Sequence, residues 1–335
     1  MTIKDIAKLS GYGVGTVSRV INNHPDVSEK ARETIMKVIE EHNFQPNSNA
    51  RMLKMQAGSA VNIIVKGKHN LLFSDILEEV QNLLSENGEE TYISYLEEED
   101  NEVNQALTLC RENNPKAIIF LGGNLEYFKE SFGDINVPCV LLTNTASELK
   151  FSNLSSLTTD DRLAAMSAID YLIDNGHKNI GIVGGNLSSA QISFSRISGA
   201  ISAFANRGMR FDLEKEYEEC RFSMEEAYNA TKRLLEKDAN LTAIFALSDV
   251  IAMGAMRAIK DLGKRVPEDV SVVGYDGIAM TNYLIPRLTT VKQDTSAFAK
   301  KAVDLILQRI HYPYGAVHEV VPFELVQRES VRSIK

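Results

Sequence analysis

The 335-residue sequence contains no tryptophan and only three cysteines, Cys110, Cys139 and Cys220. They form no CxxC pair and show no cysteine–histidine spacing of the kind that binds zinc. Scattered cysteines predict reduced thiols and therefore a cytoplasmic protein. The sequence predicts no metal site and no cofactor site.

Long hydrophobic runs are also absent, and none approaches the ~18 apolar residues that cross a bilayer. The first residues, MTIKDIAKLS, lack the apolar core and the cleavage site of a signal peptide. We therefore expect neither a membrane segment nor export. The 44% hydrophobic content is ample for two or three domains, each with its own core.

Negative charge dominates, with a formal net charge of −9, which argues against sequence-blind binding to nucleic acid. The charge is uneven, however. Residues 1–60 carry 8 basic and 6 acidic side chains, so the remaining residues carry a net charge of −11. A mildly basic head on an acidic body permits the head to contact DNA while the body has another role.

The glycines of GYGVGT (11–16) superficially suggest a phosphate-binding loop. A dinucleotide loop has GxGxxG spacing and follows a strand, whereas here the third glycine comes one place early. The preceding TIKDIAKLS is helical, because Ile3, Ile6 and Leu9 recur on one face. The pattern favours two helices joined by a tight turn, with Gly11 ending the first helix in the left-handed conformation.

A helix-turn-helix explains this region better than a phosphate loop. Ala7 is small enough for a second helix to cross closely, and Val17 can plug the space between the helices. The second helix, VGTVSRVIN, carries Arg19, a residue that pairs well with guanine in the major groove. An ordinary helical hairpin remains the alternative at this point. A third helix begins after an N-cap at Ser28 and ends before Phe44, with Ala31, Ile35, Val38 and Ile39 on one face.

From residue 60 onward, short apolar runs alternate with helical segments, which predicts doubly wound parallel sheets. The predicted strands are 61–65, 90–96, 116–122, 138–144, 179–185, 243–248 and 270–276, and the predicted helices are 73–86, 101–113, 161–175, 194–207, 223–237, 249–262 and 295–310. Seven strands exceed one convenient sheet, so we expect two lobes.

The whole chain resembles the lactose/galactose repressor (LacI/GalR) family. The head motifs are TIKDIAKLSG, TVSRVIN, VSEKARETI and QPNSNARMLK, and the body motifs include NIGIVGG, RISGAISAF, VSVVGYDG and PRLTTVKQD. The resemblance implies an all-α helix-turn-helix head (1–46), a hinge helix and linker (47–59), and an α/β body (60–335) of two doubly wound parallel-sheet lobes like those of periplasmic binding proteins. The first lobe comprises about 60–159 and 292–318, and the second about 160–290 and 319–332.

The resemblance also implies how the head and hinge bind DNA. Val14, Gly15 and Arg19 match the base-reading positions, although Gly15 has no side chain with which to read a base. The positions that hold phosphates are matched by Thr16, Ser18, Asn22 and Ser28. In the hinge, Asn47, Ala50 and Arg51 match the pattern of a helix that forms on DNA, and Leu53 matches a leucine that wedges into the minor groove. A simple linker is the alternative reading of the hinge.

Ligands of such sheets bind outside the carboxyl ends of the strands, where Arg196, Ser248, Asp249 and Asp276 are expected to converge. An arginine flanked by two carboxylates suits a polyhydroxylated ligand, because carboxylates accept hydrogen bonds from hydroxyls and the guanidinium donates them. Asp276 could instead cap a turn, and Arg196 could form a surface ion pair.

Further cleft residues follow from the resemblance alone. Phe222 matches a position where an aromatic ring stacks on the ligand, and Asn70 and Phe73 match the wall of the first lobe. HNLLF here replaces the family's frequent N-P-F-F pattern, so that wall is expected to differ in shape. Asp160 and Gln293 are further candidates at the cleft edge and near a crossing between the lobes. Phe222 could alternatively be a core residue.

The sequence therefore predicts a transcriptional repressor, acting as a homodimer on a pseudopalindromic double-stranded DNA operator and controlled by a small carbohydrate effector. Whether the effector releases or promotes DNA binding is not encoded in any motif. A sugar-binding receptor without a DNA role is the main alternative, and the head argues against it. An enzyme is disfavoured because the sequence offers no nucleophile–base pair, and no catalytic residue is predicted.

Overall fold

The computed structural model describes residues 3–21, 27–42, 60–67, 70–187, 192–312 and 315–335. The chain forms two compact units, Met1–Gln56 and Ala57–Lys335. Asn22 and the hinge residues Asn47, Ala50, Arg51 and Leu53 lie outside the described residues, as does the side chain of Ser18.

The N-terminal unit contains three described helices: α1 (Ile3–Ser10), α2 (Val14–Ile21) and α3 (Glu29–Glu41). Ile6, Val17 and Ile35 are completely buried where the three helices meet, and Val20 joins them. Gly11 has φ +75° and ends α1 in the left-handed conformation, as the sequence predicts. This arrangement confirms the helix-turn-helix head.

Leu9 of α1 is 52% exposed within this unit. Ile6 and Ala7 supply the buried contacts instead, because α2 crosses α1 on their side of the helix. At the start of α3, the Ser28 hydroxyl accepts a hydrogen bond from the Ala31 amide at 3.4 Å, as an N-cap does.

The first sheet of the body is entirely parallel, with strand order β11-β5-β4-β3-β1-β2. Its strands are β1 (Val61–Lys66), β2 (Thr91–Leu96), β3 (Ala117–Leu121), β4 (Cys139–Leu142), β5 (Leu154–Thr158) and β11 (His318–Val320), and its helices are α4 (Leu71–Glu86), α5 (Glu102–Asn113), α6 (Leu125–Ser131) and α12 (Thr295–His311). The fully buried β1 and β3 form its apolar centre.

The second sheet has strand order β12-β10-β9-β8-β6-β7. Its strands are β6 (Ile180–Val183), β7 (Tyr217–Glu218), β8 (Ala243–Ala246), β9 (Ser271–Asp276), β10 (Thr289–Gln293) and β12 (Phe323–Val326), and its helices are α7 (Asp161–Asp174), α8 (Ile192–Asn206), α9 (Leu213–Glu216), α10 (Met224–Lys237) and α11 (Asp249–Asp261). The two α/β lobes confirm the predicted fold class.

The sequence analysis missed five strands: β5, β7, β10, β11 and β12. β5 escaped notice because Ser155 and Ser156 interrupt its apolar run, although both are fully buried. Their hydroxyls are satisfied by Arg309 and by the Ala146 amide, at 3.0 Å in each case. The second sheet is parallel except at one edge, where β12 runs antiparallel to β10.

The chain changes sheet three times: between β5 and α7, between β10 and α12, and between β11 and β12. The first two changes lie at residues 159–160 and at Asp294, and the third at 321–322. Both lobes therefore share the same three connecting segments. The exact domain limits given above remain a prediction.

Helices α7 and α8 of the second lobe cross closely at Gly199. A Cβ atom at this position would clash with the main-chain carbonyl of Arg162, so only glycine permits the approach. Arg196 lies one turn before Gly199 on α8, and Asp161 lies next to Arg162 at the start of α7. The close crossing thus brings these two charged side chains together.

Candidate functional site

A cavity of about 890 Å³ lies at the carboxyl ends of the parallel strands and is bordered by both lobes. Lys66, at the end of β1, and the Gly122–Gly123 turn after β3 border it from the first lobe. Arg196 on α8 and Asp276 at the end of β9 border it from the second. This is the place where open parallel sheets bind their ligands.

Five of the nine predicted effector residues line the cavity: Asn70, Phe73, Arg196, Phe222 and Asp276. Phe73 is buried, and its ring packs against Gly122, where a Cβ atom would stand only 2.9 Å from Cε2. The Asn70 side chain caps α4 by accepting a hydrogen bond from the Leu72 amide at 3.0 Å. Phe222 is half-buried against the core of the second lobe. Their contact with a ligand stays a prediction.

The other four predicted residues, Asp160, Ser248, Asp249 and Gln293, do not border the cavity. Asp160 is exposed and caps α7, with its Oδ1 accepting from the Leu163 amide at 2.9 Å. The Ser248 hydroxyl likewise caps α11 through the Ile251 amide at 3.1 Å. Asp249 and Gln293 are buried behind the cavity wall, in contact with the segment that carries Asp276.

Arg196 is the most buried of the described basic side chains in the cavity wall, with only 4% of its surface exposed. Its Nε donates to Asp161 Oδ1 at 2.7 Å, and its Nη1 donates to the Leu247 carbonyl at 2.6 Å. Nη1 also lies 3.7 Å from Asp276 Oδ1, and the guanidinium stands 3.7 Å above the Tyr275 ring. These contacts fix the guanidinium in one orientation.

The sequence analysis missed Asp161, since it named Asp249 and Asp276 as the carboxylates that flank Arg196 and placed Asp160 at the cleft edge. Asp161 accepts hydrogen bonds from both Arg196 and the Tyr275 hydroxyl, the latter at 2.8 Å. Helical periodicity could have found it. Asp161 precedes Ala164, Ala165 and Ala168 by three, four and seven residues, and all three are buried.

Asp276 has an unusual backbone conformation, with φ +116°, which is strained for a residue with a side chain. Asp249 supports the following turn by accepting hydrogen bonds from the Gly277 and Ile278 amides at 2.6 and 2.9 Å. Gln293 Nε2 donates to Asp276 Oδ1 at 2.9 Å, and Gln293 Oε1 accepts from Thr159 at 2.9 Å. A chain of hydrogen bonds therefore links two of the connecting segments to the cavity.

The three buried carboxylates have perturbed acidities. Burial raises the pKa of Asp276 to about 6, although Arg196 acts in the opposite direction. Burial also raises the pKa of Asp161, again opposed by Arg196. The pKa of Asp249 is raised by burial and by the charge of Asp276, against the hydrogen bonds that it accepts. Burial would lower the pKa of Arg196, but its carboxylate neighbours raise it overall, so the guanidinium stays charged.

The raised pKa of Asp276 predicts a pH-dependent loss of stability. Between its unfolded value of 3.8 and its folded value of about 6, the folded chain retains a proton that the unfolded chain releases. The contribution of this group to the free energy of unfolding therefore falls as pH rises through that window and is constant on either side. Asp276→Asn removes the titration and should flatten this part of the profile, measured by urea unfolding between about pH 4 and about pH 7.

Asp160→Asn is the matched control for this measurement, because Asp160 is exposed and asparagine caps a helix as well as aspartate does. Its pH profile should follow that of the unmodified protein. Equal profiles for Asp276→Asn and the unmodified protein would show that Asp276 does not titrate in this range.

A second buried ion pair lies at the first-lobe wall of the cavity, and no motif of the sequence indicated it. Lys66 Nζ lies 2.6 Å from Glu102 Oε2 and 4.8 Å from the centre of the Tyr127 ring. Glu102 is completely buried at the start of α5, and its Oε1 accepts from the Asn124 amide at 2.6 Å. Lys66 is only 8% exposed, and what remains accessible borders the cavity.

The mouth of the cavity is rich in acidic residues. Glu97, Glu98 and Glu99 follow β2 in the first lobe, and Glu225 and Glu226 begin α10 in the second. Arg221, from the second lobe, pairs with Glu99 of the first and lies 3.9 Å from Glu226. The pair is solvent-exposed, so it bridges the two lobes without burial.

In the head, the predicted DNA-contact residues with described side chains lie at the surface or partly exposed. Val14, Gly15 and Arg19 are exposed on α2, while Thr16 is half-buried. Ser28 is exposed at the start of α3. The opposite face of α2 carries the buried Val17 and Val20, so packing directs Arg19 outward.

Within the described ranges, no three histidine, cysteine, aspartate or glutamate side chains are grouped so as to hold a metal ion. Among the helices that the structure describes, none has the length and apolar character required to span a membrane.

A helix-turn-helix head combined with a two-lobed body around a polar cleft defines the class of ligand-responsive DNA-binding regulators. Comparison with known families agrees. Residues 2–47 match the model for bacterial regulatory proteins of the lacI family, and residues 169–331 match the periplasmic binding protein-like domain. The chain belongs to the lacI family and is a DNA-binding transcriptional regulator under ligand control.

Full-length relatives support this assignment. The HTH-type transcriptional regulator MalR of Clostridium butyricum is 37% identical, with all of both chains aligned. A solved complex of the transcriptional regulator CelR with cellobiose has a TM-score of 0.71 at 26% identity, covering 98% of this chain and 99% of that one. The lac repressor dimer bound to operator and the anti-inducer ONPF has a TM-score of 0.68 at 26% identity, covering 99% of each chain.

Proposed function

We propose that this protein is a homodimeric repressor of a pseudopalindromic operator and that a carbohydrate bound in the cleft controls its DNA affinity. The observation that carries the proposal is the buried Arg196, fixed between Asp161 and Asp276 at the cavity wall. A guanidinium donor beside carboxylate acceptors matches the hydroxyl pairs of a sugar. Phe222 offers an aromatic face for the sugar ring.

The relatives support the two partners separately. CelR binds cellobiose in the solved complex, and the lac repressor forms a dimer on its operator. Two heads on one dimer engage two half-sites, whereas a single small head binds weakly. We propose a double-stranded operator as the DNA partner and the cytoplasm, where the chromosome lies, as the location.

The proposed DNA contacts divide by role. Val14, Gly15 and Arg19 face the bases, and hydrogen bonds to phosphates come from Thr16, Ser18, Asn22 and Ser28. The hinge residues Asn47, Ala50 and Arg51 place Leu53 in the minor groove. Wedging a leucine between base steps bends the duplex and brings more protein surface against it.

Coupling between cleft and DNA follows from the connecting segments. Thr159 and Gln293 lie at two of the places where the chain passes between lobes, and Gln293 hydrogen-bonds Asp276. A ligand that engages Asp276 therefore acts on the segments that set the angle between the lobes. A change in that angle alters the pairing of the two hinges and hence the affinity for DNA.

We further propose that the cleft binds without catalysis. The described polar contacts of its wall include the Lys66 and Arg196 ion pairs and the Asn70 helix cap, and none of these contacts joins a hydroxyl or thiol to a general base. Incubation with candidate sugars should therefore return them unchanged. Formation of any product would favour the enzyme alternative.

The test of the proposed function is DNA binding by the purified protein to fragments of its own upstream region, with and without a panel of sugars. We expect binding that requires the pseudopalindrome and that shifts with one sugar. Ligand-independent binding would contradict control through the cleft. Tight sugar binding without binding to any fragment would favour a sugar sensor that lacks a DNA role.

A further inference from the structure

The electrostatics of the cavity narrow the class of effector beyond a carbohydrate. Resting on the proposed function, we infer that the effector is a neutral oligosaccharide of at least two sugar units. One unit is held at Arg196 and Asp276, and a hydroxyl of the other is held by Lys66, which the buried Glu102 positions. Sugar phosphates and sugar acids are excluded by charge.

The described residues that line the cavity carry more negative than positive charge. Among the lining residues that the structure describes, Lys66, Arg196 and Arg221 are basic, against the six carboxylates Glu97, Glu98, Glu99, Glu225, Glu226 and Asp276. The formal net charge of these residues is −3. A cleft of one sign focuses its field on the entering ligand, so an anionic ligand is repelled at the mouth.

The three basic side chains of the described wall each form an ion pair with a carboxylate of the protein. Lys66 lies 2.6 Å from Glu102, Arg196 lies 2.7 Å from Asp161, and Arg221 pairs with Glu99. Each cation is already neutralised by a carboxylate of the protein. Among the described lining residues, a phosphate or carboxylate entering the cavity would therefore meet no uncompensated positive charge to offset its own desolvation.

The two buried ion pairs lie in different lobes. Arg196 and Asp276 belong to the second lobe, whereas Lys66 and Glu102 belong to the first, at the end of β1 and the start of α5. Arg196 and Asp276 offer guanidinium donors beside a carboxylate, the combination that suits sugar hydroxyls, and Lys66 offers ammonium donors, whereas Glu102 is completely buried. One ligand must reach both pairs if it is to hold the lobes together.

The size of the cavity favours a ligand of more than one sugar ring. Its volume of about 890 Å³ lies near the upper end of the ~300–1,000 Å³ range of pockets for drug-sized molecules. A single sugar ring is far smaller than such molecules and would leave one of the two ion pairs uncontacted. A chain of two or more rings fills the space and reaches both lobes.

Calorimetric titration of the full chain tests the ligand class. The probes are neutral glucose-based mono- to tetrasaccharides with α- and β-linkages, together with glucose 6-phosphate and glucuronate. We expect the tightest binding from a neutral ligand of two or more units. Tightest binding by an anionic sugar or a monosaccharide would overturn the inference while leaving the proposed function intact. Absence of binding by every sugar would count against both.

Variants at the first-lobe pair test the role of Lys66. Lys66→Met should lower the affinity for the oligosaccharide by about tenfold, which corresponds to the loss of one charge-assisted hydrogen bond. The affinity for the monosaccharide should hardly change. Lys116→Met is the matched control, because Lys116 forms an ion pair with Glu89 at 2.7 Å in the same lobe but away from the cavity. Equal losses for both ligands would contradict a contact with the second unit.

Lys66→Met leaves the buried Glu102 unpaired and could prevent folding, so a variant at Glu102 provides a second test. Glu102→Gln keeps a hydrogen-bond acceptor near Lys66 but removes its compensating charge. We expect this variant to gain affinity for glucose 6-phosphate by about tenfold relative to the unmodified protein. No gain in a variant with unchanged melting temperature would show that Lys66 does not face the ligand.

Discussion

Arg196→Met is expected to abolish the response to the effector and to lower the free energy of unfolding by about 3–5 kcal/mol. The loss arises because Asp161 and Asp276 would remain buried without their counter-ion. The Leu247 carbonyl would also lose its donor. Urea unfolding measures the stability, and titration with the effector measures the binding.

Arg207→Met is the matched control, since Arg207 directly follows the same helix and pairs with Asp170 and Asp174 at 2.7 and 3.0 Å. Its side chain is 40% exposed, so water and salt screen the pair and the midpoint of unfolding should hardly change. Similar losses for the two variants would contradict a special role for Arg196. Arg196→Lys should restore part of the stability but not the binding, because an ammonium lacks the fixed fork of donors.

Arg19→Ala is expected to weaken operator binding by about 1–3 kcal/mol and to relax the sequence preference at one base pair of each half-site. The side chain is exposed on α2, whose inner face is fixed by Val17 and Val20. Packing thus leaves the guanidinium exposed at the surface, where the proposed contact with a base can form. Binding is measured on the operator and on variants altered at single positions.

Two further variants separate base reading from simple charge. Arg19→Lys keeps the positive charge, so it should preserve the salt dependence of binding while losing part of the base preference. Lys8→Ala removes a charge from the exposed surface of α1 and should affect all DNA sequences alike. If Arg19→Ala also weakened every sequence equally, the residue would contact phosphate rather than a base.

Helices and central strands were predicted from the sequence more successfully than edge strands. The helices of the head and the central strands were predicted because their patterns are local: helical periodicity with Gly11 and Ser28 at the ends, and continuous apolar runs for β1 and β3. Edge strands such as β7 and β12 were missed. They are short or partly polar, and hydrogen bonds to a neighbouring strand rather than an apolar run hold them in place.

The candidate site was predicted in part for a similar reason. Arg196 and Asp276 follow or end predicted strands, so the topology of a parallel sheet placed both at the cleft. Asp249 was expected at the ligand, but it accepts hydrogen bonds from the turn behind Asp276 instead. Which oxygen-bearing side chain faces the cavity depends on the path of the turn, which no pattern along the chain specifies.

The sequence by itself determined a helix-turn-helix head, an acidic α/β body and a cleft with polar residues at its strand ends. The pairing of charges was decided only by the tertiary structure. Arg196 pairs with Asp161, Lys66 with Glu102 and Arg221 with Glu99. The partners are separated along the chain by 35, 36 and 122 residues, respectively. Local periodicity fixes which face of an element is buried. The partner that neutralises a buried charge is fixed by the order of strands and the crossing of helices, because desolvation makes only a closely placed counter-ion favourable.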